Sequence, residues 1–296
     1  MKTNKERQKK ILVATEFGEG IEHTLRVAIK FAVMHDAEVV LLHVNELPMP
    51  MAEFFSNEDL VKKRKELAVK RLNEIVDSHK DLGVKISWMI AEGKPYKNIL
   101  IAAEELMVEM IVMGIMGKHG KEYAMLGSNV HKVIRKATCP VITVTEKVTN
   151  TDFGRIMLAV DPEFGIRELR SFLQQYHEKF NPVVELVCVA VKDNEEECET
   201  YLAHQKNSLV KQGIESVVTT VLRGFSVSNS LLDHIAVSDV DMIWMETHGR
   251  KGLANFFLGS ITEDVLVNSP IPVLSLHPER EAPTHGKTYY HENLPI

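Results

Sequence analysis

Short apolar runs alternate with longer amphipathic stretches along the whole chain. Ile11–Thr15 and Val39–Val44 are apolar and β-branched at successive positions, which predicts strands buried on both faces. The stretches between such runs follow a helical period. In Asn57–Lys80, Leu60, Leu67, Leu72 and Ile75 form one apolar stripe, and Lys62, Lys63, Arg64, Lys65 and Lys70 fill a face turned to solvent. Strands alternating with helices predict an α/β fold built on a parallel sheet with right-handed crossovers, about five strands and four helices to each half. Ligands of such sheets sit beyond the carboxyl ends of the strands, where strand order reverses.

The pattern occurs twice. "KILVATEFGEG" (Lys10–Gly20) is answered by "RIMLAVDPEFG" (Arg155–Gly165), and "AEVVLLHVN" (Ala37–Asn45) by "VVELVCVAVKD" (Val183–Asp193). "VKISWMIAEGKP" is answered by "ESVVTTVLRGFS", "VEMIVMGIMG" by "DVDMIWMETHG", and "ATCPVITV" by "NSPIPVLSL". A nearly constant offset means that a whole domain is duplicated. The expected units are two tandem Rossmann-like domains, residues 1–148 and 149–296, divided in the polar stretch Thr145–Gly154. From about residue 278 a polar tail is expected to extend past the second unit.

Each copy carries a glycine pattern after its fourth strand. Gly117 is followed at a nine-residue interval by Gly127-Ser128, and Gly249 by Gly259-Ser260. Glycines let backbone amides approach a ligand without a Cβ in the way. A serine opening the next helix can cap it, and the free amides and dipole there favour an anion. Lys118, His119 and Lys121 add positive charge to the first loop, so a phosphate chain is the natural guest. There is no GxxxxGK[ST] loop, and His23 stands where the third glycine of a dinucleotide fingerprint belongs. The first copy has Gly114 three residues before Gly117; the second has Glu246 at the corresponding place. That carboxylate adds bulk and negative charge near an expected anion site. Pairing with Arg250 or Lys251, or with a different ligand, are the alternatives.

Composition narrows the setting. With 45% hydrophobic and 26% charged residues and a formal charge of −6, the chain is an ordinary globular sequence with no general attraction for nucleic acid or anionic membrane. No apolar run approaches the length of a bilayer span. Cys139, Cys188 and Cys198 show no paired metal spacing, which suggests a reducing, cytoplasmic compartment and packed thiols.

Gly114-x2-Gly117-x9-Gly127-Ser128 resembles the ATP-binding signature of the universal stress protein family. "ILVATEF", "LLHV" and "CPVITV" are similar to that family too, in two tandem copies covering nearly the whole chain. The resemblance implies a five-stranded parallel sheet of order 3-2-1-4-5 in each half, flanked by helices. It further implies ATP, with Mg²⁺ as a possible companion, in a regulatory stress-response role. In the first half it assigns Ala14 and Val44 to the adenine and Met113 and Gly114 to the length of the nucleotide. Gly117 and Gly127 would give backbone room, and Ser128, Asn129 and Val130 would meet phosphate. Glu16 replaces the family's aspartate. In the second half Asp161, Val191, Gly249, Gly259, Ser260 and Thr262 fit, as does Ala159, whereas Glu246 does not. The first half is therefore expected to be the principal site. Family dimers commonly pair their last strands, so here the two halves should pair as an intramolecular pseudo-dimer, and a homodimer of the whole chain is possible. The alternatives are a non-nucleotide interaction protein of the same fold and an ATP-dependent adenylating enzyme.

Other features read more plainly. Met107, Met110, Met113 and Met116 are expected in the core, and His277, His285 and His291 in a solvated tail. The apolar loop Asn45–Phe55 is a cover for the strand ends or a lid. No base, arginine finger or catalytic triad is recognisable, so turnover should be slow or absent.

Overall fold

The computed structural model describes residues 8–18, 20–46, 58–115, 126–148, 151–191, 194–247, 259–276 and 291–292. The first half runs β1 (Lys9–Thr15), α1 (Ile21–His35), β2 (Ala37–Asn45), α2 (Glu58–His79), β3 (Ile86–Glu92), α3 (Pro95–Glu105), β4 (Met110–Ile115), α4 (Ser128–Lys136) and β5 (Val141–Thr145). The second repeats it: β6 (Arg155–Ala159), α5 (Arg167–Phe180), β7 (Val183–Ala190), α6 (Glu195–Lys211), β8 (Val217–Arg223), α7 (Val227–Val237), β9 (Met242–Glu246), α8 (Ser260–Asn268) and β10 (Val273–Leu276). A two-residue strand, β11 (His291–Glu292), follows. The duplication extends to helix ends: α1 and α5 stop at Asp36 and Asn181, both in the left-handed conformation that small polar residues tolerate.

One sheet contains all the strands, in the order β11-β3-β2-β1-β4-β5-β10-β9-β6-β7-β8. Each half therefore has the order 3-2-1-4-5, and its strands are parallel. The halves meet where β5 and β10 pair antiparallel, with Val273 opposite Thr143 and Ser275 opposite Val141. Side chains reinforce this seam: Thr145 donates to the Ser269 carbonyl at 2.9 Å. Pairing two last strands satisfies backbone groups that each half alone would leave on an open edge.

Helices α1, α2, α5 and α6 cover one sheet face and α3, α4, α7 and α8 the other, and each face has a core shared by both halves. Aromatic rings bind the first of these faces across the seam. Phe31 lies 5.0 Å from Phe153 and 6.0 Å from Tyr176, and Tyr176 meets Trp244 edge-on at 5.2 Å.

Several expectations need correction. Helix α2 buries Leu72 and packs Ile75 on the core as the stripe predicts, but turns Ala68 inward and leaves Leu67 53% exposed. Met110 and Met113 are core residues, but Met107 is 66% exposed; Met116 lies outside the described residues. The tail does not simply run clear of the fold, because His291 and Glu292 pair antiparallel with Ile90 and Met89 of β3. Cys188 and Cys198 are not separate packed thiols. They are joined as a disulfide between β7 and α6, with Cα atoms 5.8 Å apart. Burial pushes the remaining thiol, Cys139, up to about 12.

Candidate functional site

Strand β1 lies between β2 and β4, and β6 between β7 and β9. The chain crosses over in opposite directions from these central strands, so the carboxyl ends of both triplets are switch points. In the first half, Ala14 stands opposite Met113 and beside Leu42. Val44 extends the same end of β2 and is half-buried, and Val130 in the first turn of α4 is buried in the same core as Met113. Glu16 is exposed just past β1. These residues converge on one end of the sheet. Gly117, and Gly249 in the second half, lie outside the described residues.

The second half encloses a cleft of ≈ 390 Å³, within the range of small-molecule sites. Ala159, Val187, Val189, Leu231 and Met245 form apolar walls, and Asp161, Asn194, Glu197 and Thr262 supply polar groups. Of the residues assigned from the sequence, Ala159, Asp161, Val191, Gly259 and Thr262 line it, and so does Glu246. Ser260 is exposed at the first position of α8. The loop after β6 is shaped by Asp161 itself. Its Oδ1 accepts the Glu163 amide at 2.9 Å, its carbonyl accepts the Gly165 amide at 3.2 Å, and Gly165 takes φ +79. Helix α7 contributes from the other side of the cleft through Val227 and Leu231.

The glycines divide into two kinds. Gly114 is required by packing: a Cβ there would stand 2.9 Å from Thr24 Oγ1 of α1. Gly127 and Gly259 are not. Both have φ near −60° (−57 and −60), open to any residue, and a Cβ on Gly259 would meet nothing within 4 Å. On Gly127 it would just reach Val130 Cγ2 at 4.0 Å. Among the described residues, neither backbone strain nor crowding explains glycine at these two helix starts. Ser128 and Ser260 are not the caps expected of them; Gly127 and Gly259 hold the N-cap positions and have no side chain to cap with. The first-turn amides of α4, at Ser128, Asn129 and Val130, have no partner within a helix.

Glu246 is also reassigned. Registers Ala14–Met113 and Ala159–Met245 make it the counterpart of Gly114. Its Oε1 accepts the Leu169 backbone amide at 2.9 Å, so the carboxylate caps the first turn of α5, which has no side-chain cap from its own N-cap residue. Glu246 also lines the cleft, so the carboxylate that caps α5 stands in the wall of the second-half site.

Some residues at the site escaped the sequence reading. Phe17 adopts φ 60, and its ring packs on His43 at 4.3 Å beneath the Arg71 guanidinium at 5.5 Å. His43 Nδ1 lies 2.9 Å from the Thr15 carbonyl oxygen. In the second half the Tyr201 hydroxyl is pushed up to about 12 by burial, then by the charge of Glu246. A left-handed phenylalanine has no local sequence signal, and the tyrosine sits on a helix far in sequence from Glu246.

Comparison with known proteins agrees with this architecture. The model of the Universal stress protein family matches residues 8–145 and 183–277. A universal stress protein of Methanocaldococcus jannaschii is 32% identical over 155 residues, covering 47% of this chain and 96% of that protein. One from Mycobacterium bovis is 24% identical over 268 residues, covering 82% of this chain and 88% of its own. The crystal structure of a universal stress protein from Archaeoglobus fulgidus superposes with a TM-score of 0.73 at 20% identity, covering 90% of this chain and 98% of that one. Among the described residues no helix is long and apolar enough to cross a membrane. The chain belongs to the universal stress protein family.

Proposed function

We propose that this chain is an adenine-nucleotide-binding regulatory module of the cytoplasmic stress response, taking ATP at the glycine-bearing strand ends. The two units, residues 1–148 and 149–296, would each offer one site. The observation that carries this reading is the pair Gly127 and Gly259: glycines kept at helix starts where the described residues leave room for a side chain. A phosphate approaching the first-turn amides accounts for that room. In the second half the apolar walls would take the base. The Asp161 and Glu197 carboxylates would accept from ribose hydroxyls, with the phosphates toward Gly259.

The preference for the first half rested on Gly114 and Glu246. Gly114 is held by packing, and Glu246 caps a helix while lining a cleft of suitable size, so both halves stand as candidates. Mg²⁺ would travel with the phosphates, held by few protein groups. With no positioned base or arginine finger proposed, turnover is slow or absent. The test is mass spectrometry of small molecules released by denaturing the purified protein. Adenine nucleotide in stoichiometric amount supports the reading. Its absence, together with no binding of added ATP, would overturn it.

A further inference from the structure

We propose that the outer edge of β8 is a docking surface for a second copy of this chain, pairing β8 with β8 in antiparallel fashion. The duplicated fold generates four sheet edges. Two are consumed where β5 meets β10, and β11 covers part of β3. Among the described residues β8 has a neighbour on one side only, β7. Its sequence lacks the devices that blunt an open edge. From Ser216 to Leu222 it reads "SVVTTVL", with no charge, no proline and no glycine, and Val218 is 39% exposed.

The register follows from backbone direction and charge. Ser216 gives its carbonyl to the Val184 amide, inside the sheet. In a strand the alternate residues, Thr219 and Val221, then direct their N–H and C=O groups away from β7. A two-fold axis at Thr219 places Val217 opposite Val221 of the second copy, with these outward groups facing one another. The same axis brings Glu215 opposite Arg223 of the second copy, once on each side. Both residues are exposed, and they are the charged groups that bracket the uncharged run. Arg223, the last residue of β8, also pairs with Glu195 of its own chain at 2.6 Å. The occupant argued by this complementarity is the chain itself, and the product is one sheet running through two copies.

Sedimentation of the full chain across the micromolar range tests the proposal. The parent should show a reversible dimer. Thr219→Pro should abolish it without loss of bonds to β7, because the amide it removes faces outward. Thr219→Lys replaces it where proline lowers the unfolding midpoint. Glu215→Arg should weaken the dimer roughly tenfold by setting two like charges face to face. The double reversal, Glu215→Arg with Arg223→Glu, should restore it. A parent that stays monomeric, or a dimer indifferent to both Thr219 variants, would overturn the assignment.

Discussion

The Glu246 carboxylate accepts the Leu169 backbone amide at 2.9 Å, tying the end of β9 to the first turn of α5. The matching pair in the first half is Gly114 and Thr24, where the hydroxyl of Thr24 fills the space that a side chain on the strand would need. One juxtaposition, strand end against helix start, is thus solved twice: by a glycine facing a hydroxyl, and by a carboxylate facing an uncapped amide. The substitution at this position thus serves the architecture of each half, and in the second half the same carboxylate also lines the cleft.

Removing the cap should therefore cost stability. Glu246→Gly is expected to destabilise the protein by about 1 kcal/mol, the usual value of a helix N-cap, and Glu246→Gln, which keeps an acceptor, by less. Denaturant unfolding measures both. Neither should tighten ATP binding; a gain in affinity at unchanged stability would restore the view of Glu246 as an obstruction.

Gly114→Ala places a Cβ against a nearly fully buried threonine. Overpacking of this kind costs about 1–3 kcal/mol. Thr24→Ala removes the clashing oxygen together with its bond to the Gly20 carbonyl at 3.1 Å. The double variant should be more stable than the sum of the two losses predicts, because the residues touch. Strict additivity in unfolding free energies would argue against the contact.

Acid should weaken the fold through His35. Burial, then the charges of Lys179 and Lys9, lowers this imidazole from 6.5 to about 4, and its Nε2 has no hydrogen-bond partner among the described residues. Its folded value is the depressed one, so the unfolded chain takes up the proton first. The stability is complete above pH 6.5 and is lost as pH falls from there through about 4. The loss is at most about 3 kcal/mol for this group. His35→Phe, which suits a site between Phe31 and Phe180, should flatten that part of the stability profile. An unchanged slope in the variant would show that other groups govern it.

Much of this molecule is legible in local pattern. Ile11–Thr15 lies within β1 and Val39–Val44 within β2, because a strand buried on both faces must be apolar at every position. Ala14 and Met113, assigned far apart in sequence, are direct neighbours. The parts that were not legible depend on rotation or on distant partners. Period alone put Leu72 and Ile75 on the buried side, where they are, but also Leu67; packing of α2 on its sheet turned Ala68 and Val69 in and left Leu67 exposed. The role of Glu246 required knowing that a helix 77 residues earlier starts beside it. The Cys188–Cys198 pair needed the strand and the helix to be placed before their side chains could be matched.

The central claim, that nucleotide occupies the glycine-bearing strand ends, is tested most directly by calorimetric titration of the full chain with ATP, alongside Gly127→Val, Gly259→Val and the double variant. The backbone at both positions accepts valine, and among the described residues neither site crowds a Cβ, so each variant should stay folded, its stability lowered only by about 1 kcal/mol for valine at a helix N-cap. The account predicts that each single variant removes one binding event and that the double variant binds no ATP. Unimpaired ATP binding by a correctly folded double variant would contradict it.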